Sequence, residues 1–185
     1  YLCPIAGTEE IVPCDALILS VGLIPENELA ESIGVPLDPK TKGAFVDERG
    51  ETLVDGVFAC GNALHVNDLV DYVSESGETA GKAAANGRKQ NRSLLPVTCE
   101  PSLLYVVPQR LDRNATETER VFFFRSSSDM DNAMLRISRG ERVLYSKKYA
   151  HLRPPEMERL VLNLSAEQFS GDDPLVFSLE GTNHE

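Results

Sequence analysis

The sequence lacks any long hydrophobic run and any cluster of basic residues. No apolar stretch approaches the roughly 20 residues that a membrane-spanning helix needs, so we predict no membrane span. The 18 Lys and Arg residues are outnumbered by 29 Asp and Glu residues, which gives a net charge of −11. Nucleic-acid-binding proteins usually carry a basic patch that displaces phosphate counterions, and here only Arg88-Lys89 and Lys147-Lys148 stand together. We therefore predict no nucleic-acid partner.

The cysteines are too few and too scattered to form a familiar motif. Cys3, Cys14, Cys60 and Cys99 have neither the CxxC spacing of a redox pair nor that of a zinc site. The sequence thus predicts no metal site, and it singles out no catalytic residue. Scattered thiols are typical of a reducing compartment, which predicts a cytoplasmic protein.

The sequence pattern of residues 1–90 predicts strands that alternate with helices. Ala16–Val21 and Val57–Cys60 are short, continuous apolar runs, and such runs predict buried strands of a sheet that is covered on both faces. Asn27 is the predicted N-cap of a short helix over Glu28–Ile33. This half of the chain is therefore predicted to be α/β.

A longer helix is predicted to begin near Asp68, whose carboxylate can cap the first turn. The side chains on one face of this helix are small towards its C-terminal end. Glycine inside a helix is unfavourable by about 1 kcal/mol relative to alanine, so its presence there calls for an explanation. Two explanations remain open: tight packing against the rest of the fold, or close approach to a ligand. The residues predicted to share this face are Leu69, Val73, Gly77, Ala80 and Ala84.

Beyond a predicted linker at residues 91–100, the sequence pattern changes and predicts a series of short strands. Pro, Gly, Asp and Asn separate six strand candidates within residues 101–182, and Arg139-Gly140-Glu141 predicts a hairpin turn. This spacing predicts a small antiparallel, Ig-like β-sandwich. The candidates are residues 103–107, 120–125, 133–138, 142–147, 159–164 and 175–180.

The pair Gly61-Asn62, between a strand end and a helix start, is the main candidate site. Gly61 has no side chain, so the backbone there can approach a bulky ligand. Asn62 offers an amide to a ribose or ribityl hydroxyl, and the helix start near residues 68–70 offers unpaired N–H groups and partial positive charge. This combination predicts a site for a flavin nucleotide.

Three segments carry a family resemblance: CDALILSVGLIPENELAESIGV, TLVDGVFACGN and DLVDYVSESGETAGKAAA. In this order they resemble the closing part of an FAD-dependent pyridine nucleotide-disulfide oxidoreductase, especially the branch associated with anaerobic glycerol-3-phosphate dehydrogenase. The resemblance covers roughly residues 10 to 90. It implies a partial, Rossmann-like FAD/NAD(P)-binding domain at residues 1–90.

The resemblance also implies roles for individual residues. Phe58–Asn62 matches the family's second FAD motif, which usually ends in Asp, and Leu69 and Val70 correspond to residues whose backbone N–H groups face the flavin O2 edge. The expected cofactor-binding residues are therefore Gly61, Asn62, Asp68, Leu69 and Val70. The cofactors implied are FAD and NAD(P)H.

No GxGxxG occurs in the chain, and it begins at Tyr1 with neither an initiator methionine nor a targeting segment. We therefore expect a C-terminal portion of a larger oxidoreductase, inactive by itself. Two alternatives remain open: a non-enzymatic module whose β-sandwich docks a partner, and a subunit that supplies half a flavin site to a partner dehydrogenase.

Two further features carry expectations. His65 lies in the loop that should cover the ribityl chain, and it is expected at the loop surface. Phe122, Phe123 and Phe124 are expected in a strand core, with one or two of them facing the first half of the chain.

Overall fold

A computed structural model describes residues 4–20, 22–87, 92–116, 118–169 and 171–183. Within these ranges the protein is a sheet-rich mixture of helix and strand with two α-helices, α1 (Glu28–Ser32) and α2 (Val70–Ala85). Neither helix is long and apolar enough to cross a membrane. The strands are β1 (Leu94–Cys99), β2 (Leu103–Val107), β3 (Arg110–Asp112), β4 (Glu119–Ser126), β5 (Met130–Arg139), β6 (Arg142–Leu152), β7 (Glu158–Asn163) and β8 (Leu175–Asn183).

The predicted buried strand at Ala16–Val21 is wrong for the part that the structure describes. Residues 16–20 are irregular and exposed, and the side chain of Ile18 is 92 % accessible. Val21 lies outside the described residues. An apolar run forms a buried strand only where neighbouring strands satisfy its backbone, and no described segment pairs with this one.

The predicted strand at Val57–Cys60 is reduced to one isolated bridge, between Glu51 and Phe58. Residues 57–59 are half-buried and Cys60 is exposed, so this segment is not a buried strand. Two further bridges, Leu37 to Ala44 and Val46 to Thr52, shape the preceding turns. The residues before α2 are thus held mainly by turns and side-chain contacts.

The first helix is confirmed, but its predicted cap is not. Helix α1 occupies Glu28–Ser32, close to the predicted bounds, and Asn27 is its N-cap residue without a side-chain capping bond. Instead, Asn27 Nδ2 donates hydrogen bonds to Lys42 O at 3.0 Å and Ala63 O at 2.9 Å. This buried amide therefore ties three segments together.

Helix α2 begins close to the predicted position and buries a different face. Its buried residues are Ala80 and Ala83, while Leu69 and Ala84 are exposed. Only Ala80 of the predicted face is fully buried. Ala80 lies close to Gly50, where an added Cβ would be 3.2 Å from the Cβ of Ala80, so a small residue at each position lets the helix approach this turn.

All six predicted strands in the second half are confirmed, as is the hairpin turn at Gly140 between β5 and β6. A five-stranded sheet has the order β3-β1-β8-β5-β6, and a three-stranded sheet has the order β2-β4-β7. The two sheets share a hydrophobic core, in which the rings of Phe122 and Phe177 lie 5.0 Å apart.

The antiparallel, Ig-like form predicted for this half is not confirmed. Strand β1 pairs with β8 in parallel, so the larger sheet is mixed. Much of the predicted linker at residues 91–100 is β1 itself, which joins β3 and β8 within that sheet. The domain boundaries at residues 90 and 101 remain a prediction.

A second hydrophobic cluster joins the two halves. Val46 and Leu64 of the first half pack with Tyr105 and Val107 of β2. Because these side chains are nearly inaccessible, the loop before α2 rests directly on the three-stranded sheet.

Candidate functional site

Gly61 begins a 3-10 turn over Gly61–Ala63 and packs against α2. Its φ is +60°, a conformation that favours glycine, and an added Cβ would lie 3.1 Å from Val73 Cγ1. Its N–H donates to Ser76 Oγ at 3.0 Å. The close approach expected at this glycine is therefore a close approach to the helix.

Asn62 is exposed and closes the loop that leads to α2. Its Oδ1 accepts hydrogen bonds from the backbone N–H of Asn67 at 3.1 Å and from Asn67 Nδ2 at 3.3 Å. Both partners are donors, which assigns the carbonyl oxygen of Asn62 to this side. An aspartate at this position would accept the same two bonds, so the loop is compatible with either residue.

Among the residues that the structure describes, no side chain caps the start of α2. Leu69 is the N-cap residue and makes no side-chain capping bond, while Leu69 is 51 % and Val70 79 % accessible. The first N–H groups of a helix have no partner within the helix, and they carry its partial positive charge. An acceptor outside the helix can therefore bind at this end.

Asp68 does not cap α2, contrary to the expectation from the sequence. Its Oδ1 forms an ion pair with Arg125 of β4, and its Oδ2 accepts the backbone N–H of Met157 at 2.6 Å. Both partners belong to the second half of the chain. The carboxylate immediately before the helix is thus turned towards the β-strands.

Arg125 connects four groups around this loop. Its Nε donates to the Tyr105 hydroxyl at 2.9 Å, its Nη2 donates to Val66 O at 3.2 Å and to Asp68, and its Nη1 donates to Pro155 O. Burial opposes the charge on Arg125, but the nearby Tyr105 and Asp68 raise its pKa above the ordinary value. The guanidinium therefore remains charged.

His65 is buried, which corrects the expectation of a loop-surface histidine. Its ring centroid lies 5.7 Å from that of Tyr105 and 5.4 Å from that of Phe123. Burial, and then the charge of Arg125, lower the pKa of His65 to about 4. Phe123 also contacts Tyr72 of α2, so it faces the first half as expected, whereas Phe122 and Phe124 are in the core.

A cavity of about 260 Å³ lies beside this loop. It is lined on one side by residues 23–25, which belong to the first of the three segments that carry the family resemblance, and by His65 and Val66 of the loop. Tyr105 and Arg125 form the wall on the strand side. Sequence reasoning did not identify this wall, because these two residues carry no local motif.

The structure brings together most of the predicted site. Gly61 contacts α2, and Asn62 binds the loop that ends at Asp68, so the turn and the helix start are neighbours. Asp68 itself is engaged elsewhere, by Arg125. What the arrangement offers is an exposed amide beside an uncapped helix terminus.

Comparison with known families relates this half of the chain to a class of redox proteins. The family model described as pyridine nucleotide-disulphide oxidoreductase matches residues 4–87. The match includes the Gly61 turn and the whole of α2. It supports a relationship to these oxidoreductases for the segment that carries the site.

Two curated relatives are mitochondrial dihydrolipoyl dehydrogenases. The protein of Mesocricetus auratus is 27 % identical over 105 residues, which are 56 % of this chain and 21 % of the relative. The protein of Caenorhabditis elegans is 28 % identical over 104 residues, which are 56 % of this chain and 20 % of the relative. The aligned region thus spans about a fifth of the length of these relatives. No solved structure matches the chain.

Proposed function

We propose that this chain forms one wall of the flavin site in an FAD-dependent, NAD(P)H-linked oxidoreductase. The observation that carries the proposal is the uncapped start of α2 beside the Gly61-Asn62 turn, within the segment that the oxidoreductase family model matches. A flavin bound there would exchange electrons with a nicotinamide nucleotide and with a further acceptor. The chain's own residues bind and orient the cofactor.

The residues present fit such a cofactor. Leu69 and Val70 are exposed residues whose N–H groups would be donors to an electron-rich carbonyl edge, and the partial positive charge of the helix start favours negative charge there. Asn67 already occupies Asn62 Oδ1, so a ribityl hydroxyl would accept a hydrogen bond from Asn62 Nδ2. An aspartate at position 62 would accept a hydrogen bond from the hydroxyl, whereas Asn62 would donate one to it.

We further propose that the chain supplies only part of the complete site. It contains no GxGxxG, the glycine-rich turn that holds a dinucleotide pyrophosphate, and its alignment covers about a fifth of the dihydrolipoyl dehydrogenases. The pyrophosphate and the nicotinamide would then be bound by residues outside this chain. We also propose that the complete enzyme belongs to the branch associated with anaerobic glycerol-3-phosphate dehydrogenase and that it has a partner dehydrogenase subunit.

A single substitution tests the role of the helix start. Val70 is the first residue of α2, where proline is tolerated because its missing N–H would have no partner within the helix. Leu69 already has the extended conformation that a residue before proline adopts, with φ −124° and ψ 138°. Val70→Pro thus removes one donor while the helix is kept.

We expect the full-length protein to purify with a bound flavin that has the visible absorption of FAD. Val70→Pro should weaken FAD binding about tenfold, the effect of losing about one hydrogen bond to a polar or charged group. Val70→Ala is the matched control, because it removes the side chain and keeps the N–H. A full-length protein without flavin, or equal affinity in the two variants, would overturn the proposal.

A further inference from the structure

The carboxylate of Asp68, whose charge is balanced by Arg125, immediately precedes the helix start at which we propose that the flavin binds. Asp68 immediately precedes Leu69, the N-cap residue of α2. An isolated carboxylate at this position would counteract the positive potential that the helix start offers to an outside acceptor. Its partner Arg125 comes from β4, in the other half of the chain.

We propose that Arg125 is a positioning residue through which the β-rich half sets the electrostatic potential at the start of α2. The inference rests on the proposed function, because the potential matters for a flavin bound at that end. Arg125 acts through Asp68, whose charge it cancels, and through Val66, whose carbonyl it holds.

The geometry favours a specific role over general packing. The Arg125 side chain is only 12 % accessible, so its charge is poorly screened by solvent. Its contacts to Tyr105 and Pro155 anchor it in the second half of the chain, while those to Val66 and Asp68 reach the loop before α2. Met157 N–H holds the other oxygen of Asp68, so the carboxylate has a defined orientation.

The inference predicts shifts of opposite sign for the two partners. Arg125→Gln leaves the Asp68 charge unpaired, which should disfavour added negative charge on the flavin and lower its midpoint potential. Asp68→Asn leaves the Arg125 charge unpaired and should raise that potential. The double variant, which removes both charges, should return close to the wild-type value.

The experiment is a redox titration of full-length protein loaded with FAD, for the wild type and these three variants. We expect the ratio of affinities for reduced and oxidised FAD to change about tenfold in each single variant, since a charge in a partly buried site acts over a reduced effective dielectric. For a two-electron couple a tenfold change in this ratio corresponds to about 30 mV.

A merely structural role would not produce this pattern. Loss of packing would weaken flavin binding in every variant and would not move the potential in opposite directions. Opposite shifts that cancel in the double variant would support the inference.

The outcomes that overturn the inference can be told apart from failure of the proposed function. If the wild type binds flavin and all four potentials agree, or if both single variants shift in the same direction, the role of Arg125 is refuted alone. Should Arg125→Gln not fold, the sign of the Asp68→Asn shift decides the question. If the wild type binds no flavin, the proposed function fails and the inference fails with it.

Discussion

Glu48 Oε1 lies 3.6 Å from Arg120 Nε, near enough for an ion pair but beyond hydrogen-bond distance. The other oxygen, Oε2, accepts the backbone N–H of Asp112 at 2.9 Å. Both side chains are almost inaccessible, and Glu48 belongs to the first half of the chain while its partners belong to the second. Burial raises the pKa of Glu48 to about 7, against the smaller opposing effects of the Asp112 N–H and Arg120. The contact between the halves therefore contains a carboxyl group that titrates near neutral pH.

Substituting Glu48→Gln should change how stability depends on pH. The folded-state pKa lies above the unfolded value of 4.5, so the stabilising contribution of Glu48 is complete below pH 4.5 and is lost as the pH rises through about 7. The wild type should lose about 3 kcal/mol relative to the variant over that range, since one pKa unit is about 1.4 kcal/mol. Urea unfolding between pH 4 and 8 measures the difference. Glu78→Gln, on the exposed face of α2, is the control, and equal pH profiles for wild type and Glu48→Gln would contradict the prediction.

His65 should contribute a dependence of the opposite sign. Burial holds its pKa at about 4 in the folded protein, below the unfolded value of 6.5, so its stabilising contribution is complete above pH 6.5 and is lost as the pH falls towards 4. His65→Phe keeps an aromatic ring between Tyr105 and Phe123 and removes the titration. We expect the wild type to lose about 3 kcal/mol relative to this variant between pH 6.5 and 4. Parallel unfolding curves across that range would show that His65 is not buried as a neutral ring.

Arg92 should be far more important for stability than an exposed arginine. Its side chain is 6 % accessible, and it donates hydrogen bonds to Thr52 O at 3.0 Å and to Asp47 Oδ2 at 3.4 Å. The Asp47 carboxylate is itself fully buried. Arg92→Met should cost about 3 kcal/mol in the free energy of unfolding, because it leaves buried negative charge poorly compensated. Arg136→Met, which breaks an exposed pair with Glu180, should cost less than about 1 kcal/mol. Similar losses in the two variants, measured by urea unfolding, would contradict this interpretation.

Alanine substitutions at two glycines should have opposite effects. Gly61→Ala places a side chain on a residue with φ +60° and within 3.1 Å of Val73, so we expect a loss of at least about 1 kcal/mol. Gly77→Ala lies within α2, where an added Cβ meets no atom within 4 Å, and it should gain about 1 kcal/mol. Thermal unfolding of both variants makes the comparison. Stabilisation by Gly61→Ala would show that the turn can adopt another conformation.

The strands of the second half were predictable because their side chains alternate. In β4, burial alternates strictly along Arg120–Ser126, so the strand could be identified without its partners. Strand β1 was not predicted because its segment has the composition of a polar linker, and Pro96 in its middle also disfavours a central strand. In the structure Pro96 falls where β1 changes its partner, from β3 to β8, and the missing N–H is tolerated there.

The first half was less predictable, since its local patterns need partners to take effect. The apolar run at residues 16–20 has the composition of a buried strand, yet pairing depends on neighbours that the described structure does not provide. The Gly61 turn and the start of α2 were located correctly from short-range signals. The pair of Asp68 and Arg125, 57 positions apart, carries no local signal that sequence reasoning could use.

The position of β8 affects the order in which the protein can assemble during its synthesis. Strand β8, the last of the described strands, lies between β1 and β5 in the larger sheet, so it supplies the hydrogen-bond partner on one side of each. At about 5 to 20 residues per second, ribosomes need several seconds to make the chain between β1 and β8. Until residues 175–183 leave the ribosome, β1 and β5 have no strand between them, so the larger sheet cannot be completed before that segment emerges.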